Sequence, residues 1–101
     1  MKLYLVVRDD LSPGRQAAQL CHAHRAFVAE HPETELEWFE KSNTVVCLAA
    51  TPQGLAELVE KTRRRGVPAS VFREPDLGDA MTAVAVGPTG KSLCRRFSLV
   101  V

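Results

Sequence analysis

Leu5-Val6-Val7-Arg8-Asp9-Asp10-Leu11-Ser12-Pro13-Gly14-Arg15-Gln16-Ala17-Ala18-Gln19-Leu20-Cys21-His22-Ala23 reads as a strand, a turn and a helix start in immediate succession. The strand is the segment Lys2 to Arg8, apolar from Leu3 to Val7. A continuous apolar run of that length suits a strand covered on both faces. Asp9, Asp10 and Leu11 form its exit loop. Ser12 is an N-cap type, and Pro13 fits the first helical position, where a missing N–H costs nothing. The helix then runs to about Glu30, before His31 and Pro32.

The same alternation continues outward from this segment. Glu33 to Lys41, carrying Leu36, Trp38 and Phe39, is a short second helix or an ordered loop, and Ser42 and Asn43 turn into a strand over Thr44 to Ala49. Thr51-Pro52 repeats the cap-then-proline signal. The helix that follows sets Leu55, Leu58, Val59 and Thr62 on one face and stops at Gly66, a residue suited to the left-handed C′ position. Pro68 to Phe72 predicts a third strand, Glu74 to Asp79 a turn-rich loop, and Thr82 to Val86 a fourth strand. Gly87 and Pro88 open a short helix with Leu93 and Phe97, and the apolar tail Ser98 to Val101 returns to the sheet or the core. Strands alternating with helices predict one α/β domain over residues 1–101, with helices packed on a sheet of four strands, or five if the tail joins it.

Size and composition agree with this reading. A chain of 101 residues supports one core and not two, and 46% hydrophobic with 25% charged residues is ordinary globular composition. No apolar run approaches the ~18 residues of a membrane span, and the charges at Arg8, Asp9 and Asp10 interrupt the N-terminal run too early for a secretory signal. Cys21, Cys47 and Cys94 are odd in number and each lies in an apolar stretch, which suits buried reduced thiols and a cytoplasmic location.

The net charge of +1 conceals an uneven distribution. Five glutamates and no lysine or arginine occur between Glu30 and Glu40, whereas Lys61, Arg63, Arg64 and Arg65, and the pair Arg95 and Arg96, are basic clusters. Such clusters read either as solvated helix ends, where cations offset the dipole, or as a footprint for phosphates.

The first helix carries two stripes. Ala17, Leu20, Cys21, His24, Phe27 and Val28 fall on one side at helical spacing, and Arg15, Gln19 and His22 line up on the other. A polar stripe on a helix that packs against a sheet ordinarily faces water. This one consists of a guanidinium, an amide and an imidazole, and Arg15 lies in the first turn, where free N–H groups and the dipole attract anions.

Three further patterns carry no chemistry. Cys21 and His24 lack a second ligand pair at metal-binding spacing. Gly87-Pro88-Thr89-Gly90-Lys91-Ser92 lacks the glycine of a phosphate-binding loop, since Ala85 stands there. Cys94 beside Arg95 reads as a buried structural thiol.

Taken together, Val6-Val7-Arg8, Asp10-Leu11 and Gly14-Arg15-Gln16-Ala17-Ala18-Gln19-Leu20-Cys21-His22-Ala23 resemble the opening of the type-II peptidyl-tRNA hydrolase family. Asp76-Leu77-Gly78 is similar to that family's Asp-x-Gly loop, and Thr82 with Gly87-Pro88 to its Thr-x4-Gly-Pro strand. The chain departs from the pattern at Arg15, where the family has lysine, and after Gly78, where Asp79 and Ala80 replace a Thr-Gln pair in a shortened loop. Glu74 competes with Asp76 for the family's carboxylate position, and Asp76 is preferred because it keeps the glycine two residues on.

The resemblance implies hydrolysis of the ester between a peptide and the 3′-terminal ribose of tRNA. It also implies a mixed sheet flanked by helices, often a homodimer, and no metal or cofactor. Under it, Asp76 and Thr82 would hold the attacking water, and Arg15 or Gln19 would face the oxyanion or the terminal phosphate. His22 would be a proton shuttle or a supporting group. Arg63, Arg64, Arg65, Arg95 and Arg96 would contact the tRNA backbone. The departures leave a second reading, a weakened relative acting as a tRNA- or nucleotide-binding module.

Overall fold

The computed structural model describes residues 1–100. The elements are β1 (Lys2–Arg8), α1 (Pro13–Glu30), α2 (Pro32–Lys41), β2 (Thr44–Ala50), α3 (Pro52–Arg65), β3 (Ala69–Glu74), a 3₁₀ turn at Pro75–Leu77, β4 (Ala80–Val86), a second 3₁₀ turn at Pro88–Gly90, α4 (Lys91–Cys94) and β5 (Ser98–Leu99). The sheet has five strands in the order β3-β4-β1-β2-β5. β1 pairs with β2 in parallel and the other three pairings are antiparallel, so the sheet is mixed and the tail does join it.

Alternation along the strands divides the core in two. Tyr4, Val6, Leu48, Val84 and Val86 meet Leu55, Leu58 and Val59 of α3 on one face, with Leu93 and Cys94 of α4. Leu3, Leu5, Val7, Ala83 and Ala85 meet Leu20, Ala23 and Phe27 of α1 and Trp38 of α2 on the other. β1 is covered on both sides, which accounts for its unbroken apolar run. α3 begins with the Thr51 side chain accepting the Gly54 N–H at 3.0 Å and ends at Gly66, whose φ of 65° is the left-handed conformation that favours glycine.

Three expectations change. The face of α1 that meets the sheet is Gln19, Leu20, Ala23 and Phe27, while Ala17, Cys21 and Val28 are exposed. The helix is therefore rotated toward its polar stripe, because Gln19 finds polar partners inside the domain. The cysteines are free but not uniformly buried: Cys21 is exposed, Cys47 half-buried and Cys94 buried. Ser12 caps α1 by position only, since its side chain makes no capping bond. Among the described residues no helix is long and apolar enough to cross a membrane.

The direction of the strands locates the site. β3 and β4 are antiparallel, as are β4 and β1, so β1, β2 and β3 all point the same way. Their C-terminal ends, the start of α1, the start of α3 and the start of β4 thus share one end of the sheet.

Candidate active site

At that end the β3–β4 register slips. Phe72 pairs with Ala83 but Arg73 pairs with Met81, so β4 carries one extra residue, Thr82, opposite a single step of β3. Such a bulge breaks the alternation of sides. Met81 packs against the α3 side and Ala83 against the α1 side, and Thr82 is also turned toward α1, where its hydroxyl donates to Gln19 Oε1 at 2.5 Å. Thr82 is fully buried and Gln19 is 5% exposed. The other end of the Gln19 amide donates from Nε2 to Glu74 Oε1 at 2.8 Å. Thr82, Gln19 and Glu74 thus form one directed chain that leads from the core to the surface.

α1 lies against β3 over its length. Gln19 meets Glu74, the His22 ring stacks on Phe72 with centroids 4.6 Å apart and planes at 19°, and His31 Nε2 reaches Ala69 O at 3.0 Å. Ascending α1 is descending β3, so residues three apart on the helix meet residues two apart on the strand. Glu74 is also held by its own loop: it takes the Asp76 N–H at 3.4 Å, Asp79 N bonds Glu74 O at 2.9 Å, and Gly78 and Asp79 both adopt positive φ. On the opposite side, Gln16 Nε2 bonds Leu11 O at 2.9 Å, and Arg8 grips Asp10 through two bonds of 2.9 and 2.7 Å, which fixes the loop before α1.

Between these loops lies a cleft of about 210 Å³, lined by Leu11, Arg15, Ala18, Gln19, Glu74, Asp76 and Leu77. The Glu74 carboxyl titrates below the ordinary carboxylate range, chiefly because Gln19 donates to its ionised form, with the Asp76 N–H and the charges of His22 and Arg15 adding to the effect. The cleft thus joins an ionised carboxylate, a guanidinium and the uncapped first turn of α1. That combination can bind and polarise an oxyanion-forming substrate.

The expected residues are distributed unevenly. Arg15, Gln19 and Asp76 line the cleft, and His22 stands outside its lining, stacked on Phe72. Thr82 does not line it, because its side chain is buried and its hydroxyl donates to Gln19. Glu74, rather than Asp76, holds the bond to Gln19. Phe72 is the neighbour that sequence reasoning misses; the usable signal is its spacing of two from Glu74, which puts both on one strand face. Arg95 and Arg96 lie at the same end of the sheet, since Ser98 pairs with Ala49 near the end of β2. Arg96 sits over the Phe97 ring at 5.0 Å and within 3.5 Å of Glu57. Arg63, Arg64 and Arg65 close α3 at the opposite end, about 20 Å away along the fourteen residues of the helix. Among the described residues no cluster of three or more potential metal ligands occurs.

The fold is an α/β domain whose cleft gathers a carboxylate, an amide and a guanidinium beside the first turns of α1. Comparison makes the assignment specific. The family model described as "Peptidyl-tRNA hydrolase PTH2" matches residues 1–98, and the chain belongs to that family. It is 32% identical over 103 residues to a peptidyl-tRNA hydrolase of Thermococcus onnurineus, covering 91% of this chain and 87% of that one. It is 34% identical over 101 residues to a peptidyl-tRNA hydrolase of Methanocaldococcus jannaschii, covering 87% and 86%. A solved protein of unknown function from Agrobacterium tumefaciens C58 shares the fold, with a TM-score of 0.72, 12% identity and coverage of 99% and 97%.

Proposed function

We propose that this chain hydrolyses the ester of peptidyl-tRNA, releasing free tRNA and peptide. Family membership and the archaeal relatives support the reaction class. The observation that carries it to particular residues is the Thr82–Gln19–Glu74 chain, which ends at the wall of the cleft that Arg15 shares.

In this reading Glu74 is the general base. It is ionised at neutral pH and accepts a proton from a water that attacks the ester carbonyl. Arg15, with the free N–H groups of the first turn of α1, stabilises the oxyanion that forms. Collapse of the tetrahedral intermediate breaks the bond to the ribose oxygen, and the proton held by Glu74 passes to that oxygen. Asp76 is a second acceptor for the water, and His22 relays protons at the rim. Gln19 and Thr82 act as positioning residues, because neither the amide nor the buried hydroxyl can turn without losing a bond.

The tRNA reaches the cleft with its acceptor end. Arg95 and Arg96 lie beside that end of the sheet, and Arg63 to Arg65 meet the backbone farther along the duplex. The chain works in the cytoplasm, which suits its three free thiols. It pairs as a homodimer, for which Leu99, 66% exposed on the edge strand β5, offers an apolar contact.

The test is release of labelled peptide from peptidyl-tRNA by the purified chain. Turnover should be readily measured, and Glu74→Gln should lower it by ~10²-fold or more. Absence of turnover in the unaltered chain would overturn the reading, and an active Glu74→Gln variant would remove Glu74 from its role.

A further inference from the structure

Away from the cleft, the second half of α1 and the whole of α2 enclose a groove of about 480 Å³ lined by His24, Val28, Glu35, Leu36, Trp38 and Phe39, with Pro32 and Asn43 at its margins. Leu36 and Phe39 are 56% and 59% exposed, and Val28 is exposed beside them. Single exposed apolar residues are common, but several around one concavity mark a binding surface.

The surroundings of the groove restrict what can fill it. Glu33 and Glu40 stand three before and four after Leu36, which puts both beside it on the helix surface. Glu30, Glu35 and Glu37 add to the same acidic segment, and its one cation, Lys41, is already paired with Glu37 at 3.4 Å. Glu35 gives one oxygen to His24 and its other oxygen is buried without a hydrogen-bond partner. On the α1 side Arg25 stands three before Val28, while on the α2 side glutamates outnumber the one lysine, so the groove offers apolar contacts edged mainly by negative charge, with one acceptor unused. Nucleic acid phosphates are repelled from such a rim. A second copy docked face to face would set glutamates against glutamates. A second copy offering its Arg63–Arg65 end would make a head-to-tail contact, which yields a ring or a filament rather than a two-fold dimer.

We propose that this groove docks an amphipathic, Lys/Arg-bearing segment of another protein. Its apolar side chains would lie on Val28, Leu36 and Phe39, and its cations on the surrounding glutamates. This inference does not depend on the hydrolase reading.

Trp38 is the chain's single tryptophan and lines the groove, so its emission reports occupancy directly. The whole chain is titrated with a designed amphipathic Leu/Lys helix and with its Leu/Glu counterpart. The Leu/Lys peptide should shift Trp38 emission saturably, the Leu/Glu peptide should bind about tenfold more weakly or not at all, and Phe39→Asp should weaken the former by about tenfold or more. Leu36→Asp should act alike. Both variants should keep far-UV circular dichroism and any ester hydrolysis unchanged, since neither residue lies near the cleft. Charge reversal by Glu33→Lys with Glu40→Lys should invert the peptide preference. Four results would each overturn the proposal. They are no saturable shift, equal binding of both peptides, displacement of the peptide by tRNA, and a solution dimer that Phe39→Asp converts to monomer.

Discussion

Gln19 and Glu74 are 55 residues apart in sequence and joined by one hydrogen bond of 2.8 Å, from the Gln19 amide to the Glu74 carboxylate. The direction of that bond is set from behind. The Gln19 carbonyl is occupied by the Thr82 hydroxyl, so the N–H₂ end must face outward, toward the cleft. The bond thereby favours the ionised form of Glu74 and ties it to the wall of the cleft that Arg15 also lines.

Removing the amide should expose this dependence. Gln19→Leu leaves the Thr82 hydroxyl buried without a partner, at a cost of about 1–3 kcal/mol. Thr82→Val added to Gln19→Leu removes the unsatisfied group and should recover much of that loss. Urea unfolding of the two single variants and the double variant forms the cycle, and strict additivity would show that the two residues are not coupled.

The pH dependence follows from Glu74. Its folded value lies below the ordinary 4.5, so its stabilisation is complete above that value and is lost as pH falls through the folded value. Carbon-detected NMR of the Glu74 carboxyl should therefore give a midpoint below 4.5, and Gln19→Leu should move it upward. A midpoint unmoved by Gln19→Leu would mean that the bond does not hold the charge.

In the proposed reaction a guanidinium at position 15 acts by charge and hydrogen bonding rather than by proton transfer. Arg15→Lys should retain turnover within about tenfold, whereas Arg15→Ala should lose ~10²-fold or more, as for a lost oxyanion donor. Steady-state hydrolysis of peptidyl-tRNA measures both. An alanine variant with full turnover would exclude this role.

The distance of Arg63, Arg64 and Arg65 from the cleft separates binding from chemistry. Neutralising all three should weaken tRNA binding and reduce the slope of affinity against salt by about one for each phosphate no longer neutralised. Hydrolysis of a short peptidyl-nucleotide fragment should hardly change. A salt slope that stays constant identifies them as a solvated helix end.

The elements themselves are legible in the sequence because their signals are local. Pro13, Pro52 and Gly66 fix helix ends through backbone geometry that each residue carries wherever it stands, and the unbroken run Leu3 to Val7 is the pattern of a central strand. Arg15 and Gln19 are legible for the same reason, through helical spacing and the helix start. The exposure of Cys21 and the burial of Gln19 are not. Hydrophobic periodicity ranks a face by its apolar content, and it cannot register an amide that is satisfied by residues 55 and 63 positions away.

What the sequence determined alone is the α/β order, the helix and strand types, and the family motif of the first helix, all of which depend on neighbours along the chain. The tertiary structure decided which carboxylate meets Gln19. A single extra residue in β4 turns Thr82 from the α3 side to the α1 side, Thr82 orients Gln19, and Gln19 selects Glu74 over Asp76. Strand register is a property of two strands at once, so no local pattern around Thr82 could have disclosed it.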